Sequence, residues 1–211
     1  MLHKDDQGKM SDKLVTSLYL AVDLVDDYTD KRPMGNVSIA LTNSHTTPIQ
    51  NLSGYWLFLK SHDSENYNTN SSIVIKSSYY FDLVQPINLA DVDPTYPVIL
   101  ISLIPRPNYP FPSHATLIRG MLADNKGKPI SNAKISVDST DITTTSTESG
   151  EFVLYSKDLE KKFKIKENFI NNNMVVISLN IFHPDFKEKK VSARIIEGKS
   201  VSIVENLEVK H

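Results

Sequence analysis

The sequence predicts an all-β protein of two β-sandwiches in tandem, and three observations lead there. First, the chain states one pattern twice. Pro33 and Pro129, Asn36 and Asn132, and Gly54 and Gly150 are each 96 residues apart. Each triplet brackets a turn, an alternating strand, a loop and a second strand opening on Ser-Gly. A period of this length is too long for a solenoid and suits two copies of one small domain. Second, the apolar residues fall in short runs with a two-residue period, separated by turn-forming clusters, and no window carries a sustained helical stripe. Third, four prolines stand between Pro105 and Pro112. Proline fixes φ and lacks an N–H, so this stretch cannot continue a central strand and reads as a stiff, extended linker.

The expected organisation is therefore a disordered polar lead-in at 1–13, a first sandwich at 14–104, a linker at 105–113 and a second sandwich at 114–211. Along the chain, Leu18, Leu20, Val22 and Leu24 hold a two-residue period and predict the first strand. Val37, Ile39 and Leu41 give the next, half-buried one. Residues 55–59 are apolar at every position, so both faces of that strand should be covered. Strands follow at 73–81 and 98–104, with loops at 63–70 and 86–97. In the second half, strands are expected at 116–123, 133–137, 151–155, 174–182, 186–196 and 200–209. The charged stretch 157–166 reads as a short helix. At the spacing of 96, Trp56 and Phe58 correspond to Phe152 and Leu154. Trp56 is thus expected inside. The opposite phase then differs between the copies: Tyr55, Leu57 and Leu59 in the first, Glu151, Val153 and Tyr155 in the second.

The second half resembles the carboxypeptidase regulatory-like domain, a transthyretin-like (prealbumin-like) Greek-key sandwich related in architecture to immunoglobulin-like folds. The resemblance is carried by Gly120, Leu122, Asp124, Gly127, Pro129, Ile130, Asn132, Ala133, Ile135 and Val137. Thr145, Thr147, Glu148, Gly150, Phe152 and Leu154 follow, and then His183-Pro184-Asp185-Phe186. Each has a mechanical reason: Asp-x-x-Gly is a tight turn with glycine at the φ > 0 corner, and Ala133, Ile135 and Val137 form a core face. The first half looks like a diverged copy, with Lys31 where the second has Gly127. The resemblance implies an appended, non-catalytic module that serves as a spacer or adaptor. One hydrolase of the transthyretin superfamily ends in Tyr-Arg-Gly-Ser, which this chain lacks, so its activity does not carry over.

Composition narrows the function classes. The 211 residues carry a formal net charge of −2, which gives no field for nucleic acid or anionic lipid. There is no cysteine, so thiolate metal sites, disulfides and a cysteine nucleophile are excluded. No run reaches the length of a membrane helix, and the polar start lacks the apolar core of a signal peptide. The chain is expected to be cytoplasmic or part of a soluble assembly.

The six histidines are scattered, without an H-x-x-x-H pair, and His183 before Pro184 reads as a turn residue. Asp23, Asp26, Asp27 and Asp30 could gather around a cation, but they lack a calcium-loop spacing and read as turn and solvated carboxylates. No P-loop, dinucleotide or nucleophile-elbow pattern occurs. No catalytic residue, metal or cofactor is therefore expected. Trp56, Tyr79, Tyr80, Phe81, Tyr109 and Phe111 would be the stacking face of a carbohydrate-binding module, the first rival reading; the second, a small hydrolase of the transthyretin superfamily, would need His, Arg or carboxylate groups converging in a pocket. The principal expectation is a structural or adaptor protein, as in a phage-tail-like injection machine, working through protein partners or as a homo-oligomer. Its candidate interaction surface is Tyr55, Leu57, Leu59, Tyr109 and Phe111, because three large apolar residues on an outer sheet face call for a cover.

Overall fold

The computed structural model describes residues 16–42, 47–61, 70–155 and 174–210. The expectations for 1–13, for most of the 63–70 loop and for the 157–166 helix concern residues outside these. The chain divides into two compact units. The second comprises Asp26–Asp30, Ser78–Phe81 and Ile104–His211, and the first is the remainder.

Among its described residues the first unit holds seven strands: β1 (Thr16–Asp26, whose last residue falls to the second unit), β2 (Val37–Leu41), β3 (Ile49–Gln50), β4 (Trp56–Ser61), β5 (Asn70–Ser77), β6 (Leu83–Asn88) and β7 (Val98–Leu103). They form two sheets, ordered β3-β4-β1-β7 and β2-β5-β6. Alternation sends Leu20, Val22, Leu24, Phe58, Ile101 and Leu103 inward from one sheet, and Ile39, Leu41, Ile73 and Ile75 from the other, and all are buried. The strand expected at 73–81 runs instead over Asn70–Ser77 as β5, and two further elements depart from the sequence reading. The register of β1 against β4 shifts between Leu18 and Leu20. This irregularity turns Leu18 outward, 43% exposed, and lets Tyr19 meet Phe58 edge-on inside. In addition, part of the expected 86–97 loop is strand β6, which includes Pro86. Proline is tolerated there because β6 is an edge strand, paired on one side only, with β5.

The second unit holds β8 (Leu117–Asp124), β9 (Lys134–Val137), β10 (Thr143–Thr145), β11 (Glu151–Tyr155), β12 (Met174–Phe182), β13 (Lys189–Ile196) and β14 (Ser200–Leu207). Its sheets are ordered β10-β9-β12-β13 and β11-β8-β14, with β14 parallel to β8. One buried cluster joins them, including Leu122, Phe152, Ile203 and Leu207 from one sheet and Ile135, Leu179, Ile181 and Ala193 from the other. This is a β-sandwich. Counted from its own first strand, each unit has the orders 4-1-7 and 2-5-6. They differ in where the short third strand attaches, to the fourth in one and to the second in the other.

Candidate functional site

The most elaborate polar arrangement lies within the second unit, where its three chain segments meet. Strand β1 ends on Asp26, which opens a turn. Its Oδ1 accepts the backbone N–H of Tyr28 at 2.7 Å and of Thr29 at 3.1 Å. The same carboxylate is fully buried. Its Oδ2 accepts the hydroxyls of Tyr80 at 2.8 Å and Tyr109 at 2.5 Å. Segment 78–81 is held against 104–108 by main-chain bonds from Phe81 N to Ile104 O at 2.9 Å and from Arg106 N to Tyr79 O at 2.8 Å. Asn108 adds a bond from its amide to Ser78 O at 2.8 Å. Asp26 thus closes a clasp between segments far apart in sequence.

Around the clasp the aromatics pack closely. Tyr28 lies edge-on to Phe111 at 5.0 Å, Tyr155 at 5.6 Å and Tyr109 at 6.1 Å between ring centroids. The Tyr155 hydroxyl donates to Asp27 Oδ2 at 2.6 Å. Arg119 donates to the Pro107 carbonyl and sets its guanidinium 5.4 Å from the Phe111 ring centre. Beneath lie Ala115, Leu117 and Val153, all buried, with Tyr28, Phe111 and Tyr155 against them. Leu117, Arg119 and Val153 alternate with the inward residues Ile118, Gly120 and Phe152. They are therefore the outer face of β8 and β11, and the proline-rich stretch lies across it as a strap.

This arrangement has little left to offer a ligand. A carboxylate has about four acceptor positions, and Asp26 accepts four bonds from its own chain. Burial first, and then the Asp26 hydrogen bond and charge, push the Tyr109 hydroxyl well above its ordinary 10.0. Burial and Asp27 do the same to Tyr155, and burial, with the Asp26 charge, raises the Tyr28 hydroxyl. For a group whose pKa is raised on folding, the stabilisation is complete below its unfolded pKa. It declines above about 10, where only the unfolded chain ionises. An alkaline spectrophotometric titration should find that Tyr109 and Tyr155 ionise only as the second unit unfolds. Their ionisation in the still-folded protein would contradict the clasp.

The expected interaction residues separate into two groups. Tyr109 is 2% exposed inside the clasp and offers no surface, because its ring fills the strap and its hydroxyl is bound to Asp26. Phe111 is half-buried in the same aromatic group. Tyr55, Leu57 and Leu59 lie at β4 in the first unit, each half-buried. Across that sheet Leu57 stands opposite Ile49 and Ala21, and Leu59 opposite Leu18. Ile49 is 57% exposed. The sequence pattern put Leu18 in phase with the inward Leu20, which the register shift undoes, and it did not mark Ile49, because β3 is only two residues long.

Of the aspartates, Asp26 and Asp27 are engaged by tyrosines, and Asp30 takes a left-handed φ of 56° in the turn. Among the described residues no group of three or more His, Asp or Glu is placed to hold a metal. His183 accepts the Asp185 N–H at 3.2 Å and abuts Phe186, a turn role. Trp56, expected inside, is half-buried. It lines a cleft of about 370 Å³ in the first unit, together with Leu24, Arg32, Asn36 and Gln50. No described helix is long and apolar enough to cross a membrane.

Neither a protein family nor a curated protein matches the chain. Solved structures similar to it include the Bacillus anthracis TIE protein (TM-score 0.31, 9% identity, covering 93% of this chain). A Streptococcal ancillary pilin gives 0.34 and 9% over 93% of this chain and 69% of its own. The shaft pilin of Lactobacillus rhamnosus GG gives 0.29 and 10% over 94% and 99%. The chain spans about a third, 34%, of the length of the first.

Proposed function

We propose that this chain is a non-catalytic structural or adaptor protein, which works by presenting an outer sheet face of its first unit to another protein. The observation that carries this reading is the apolar row on β3, β4 and β1: Ile49 opposite Leu57, and Leu59 opposite Leu18. The outer face of a sandwich is ordinarily polar, and contiguous apolar surface on a soluble domain usually marks a contact site. Supporting the non-catalytic half of the reading, Asp26, Asp27, Tyr80, Tyr109 and Tyr155 are engaged in the second unit's own clasp. The reading includes descent of both units from one regulatory-like domain, for which the common strand orders 4-1-7 and 2-5-6 speak.

Leu57→Asp is the test. The charge should abolish capture of the partner from native cells, or dissolve a homo-oligomer, while the thermal midpoint falls by only a few degrees. Unchanged stability, oligomeric state and co-purifying proteins would remove this face from consideration.

A further inference from the structure

The cleft around Trp56 lies where the two units differ at positions 96 residues apart. In the second unit the corresponding pole is shut. Ile130, 4% exposed, fills it beside the buried Phe152, and its N–H donates to Leu122 O at 3.0 Å. Ser146, also buried, locks the closure: its hydroxyl donates to Ile130 O at 2.7 Å and accepts from Ala133 N at 3.0 Å. Gly150 lies so close beneath that an added Cβ would strike the Leu122 carbonyl and come within 3.3 Å of Pro129.

Ninety-six residues earlier the plug and the lock are both changed. Met34 stands where Ile130 does and is 38% exposed instead of inside. Gln50, 96 residues before Ser146, lies instead on β3 beside Trp56 of β4, exposed, and its amide donates to Gly54 O at 3.4 Å. Gly54 keeps the left-handed turn, with φ of 87°, but here the Arg32 side chain lies over it, within 2.6 Å of where a Cβ would be. Arg32 is held in place by donating to Ser53 O. The core position is therefore left open, and Trp56 borders a cleft of about 370 Å³ with Leu24 at its floor and Arg32, Asn36 and Gln50 at its rim.

We infer that this cleft is a binding site for a pyranose saccharide, with a uronate favoured over a neutral sugar. The volume falls at the small end of ligand pockets, about 300–1,000 Å³. A sugar ring has an apolar C–H face suited to an indole and a rim of hydroxyls that both donate and accept. The carboxamides of Asn36 and Gln50 also do both, whereas a guanidinium only donates and pairs best with a carboxylate. An apolar ligand would make no use of these three polar side chains, and a purely ionic one would not use Trp56. The lining is set by the first unit alone and is independent of the apolar face on β3, β4 and β1.

Trp56 is the chain's one tryptophan, so its emission reports the cleft directly. The full chain would be titrated with tetragalacturonate, chitotetraose and an uncharged aromatic tripeptide. A saturable change in emission is expected with the saccharides, with tetragalacturonate bound more tightly. Arg32→Gln should weaken tetragalacturonate by about tenfold, roughly one lost charge-assisted pair, and leave chitotetraose nearly unaffected. Asn36→Ala should weaken both. Arg32 and Asn36 are exposed, so neither variant threatens folding. By calorimetry, Trp56→Phe should retain measurable but reduced binding. No saturable response to either saccharide overturns the inference. So does a response confined to the tripeptide, or saccharide binding that Arg32→Gln and Asn36→Ala leave intact.

Discussion

Asp26→Ala is expected to destabilise the second unit by about 3–5 kcal/mol. The substitution removes the buried carboxylate to which the Tyr80 and Tyr109 hydroxyls donate, and a hydrogen bond to a charged group contributes about 1.5–3 kcal/mol. It also removes the acceptor for the N–H groups of Tyr28 and Thr29, which shapes the turn. Asp26→Asn should be milder, because the amide oxygen keeps two of the four bonds. Tyr109→Phe, which deletes one bond and no ring, should cost about 1.5–3 kcal/mol, the usual range for a hydrogen bond to a charged group. Trp56 reports the first unit, so the effect is best read by amide exchange in β8 and β11 during denaturant titration. A loss below about 1 kcal/mol for Asp26→Ala would show that water replaces the carboxylate, which a sealed clasp does not permit.

The clasp also marks where sequence reasoning reaches its end. That Asp26 initiates a turn is readable locally, since an aspartate followed by polar residues caps its own backbone two residues on. Asp124 does the same at the end of β8, accepting from Lys126 N at 2.8 Å. What distinguishes the two aspartates is distant. Tyr80 and Tyr109 lie 54 and 83 residues away, and no periodicity links them to Asp26. The proline count between 105 and 112 correctly denies a central strand there, but it is silent on which surface a stiff segment rests against. Arg119 and Phe111 decide that by contact.

Turn chemistry was far more legible than packing. Asn51 N bonds to Tyr55 O at 3.0 Å and Gly54 N to Asn51 O at 2.9 Å. Thr147 N bonds to Glu151 O and Gly150 N to Thr147 O, both at 2.8 Å. Both glycines take φ near +80°, 87° and 78°, a conformation that a side chain disfavours. The recurrence of Ser-Gly at matched positions is the imprint of this common turn. Alternation likewise marked the inward residues of β2, β9 and β11, and Phe58 of β4, though not the half-buried Trp56. It could not reveal that Met34 turns out where Ile130 turns in, because both are apolar and the difference lies in the backbone: the left-handed residue follows Met34 directly, at Gly35, but comes two residues after Ile130, at Asn132. The open or closed state of each pole depends on that rotation, so the half-buried Trp56 was beyond pattern alone.

Phe152→Ala should produce a loss of similar size, about 3–5 kcal/mol, the usual cost of deleting a fully buried phenyl ring. The structure makes a sharper statement about its neighbour. Phe152 stands opposite Gly120 across β11 and β8, and its ring covers the bare Cα. A Cβ at position 120 would overlap that ring and approach the Ile203 carbonyl to 2.8 Å. Gly120→Ala alone should therefore cost about 1–3 kcal/mol, as overpacking does, even though its intrinsic strand preference favours alanine. In the double variant the ring is gone and the new methyl enters part of the space it filled. Gly120→Ala/Phe152→Ala should accordingly be more stable than the two single losses predict by about 1 kcal/mol or more, a coupling typical of residues in contact. Denaturant midpoints of the four proteins measure it. Additivity within about 0.5 kcal/mol, the behaviour of independent sites, would mean that the phenyl ring does not lie over Gly120. The pairing of a bulky residue with a bare one, which seats β11 on β8, would then have to be abandoned.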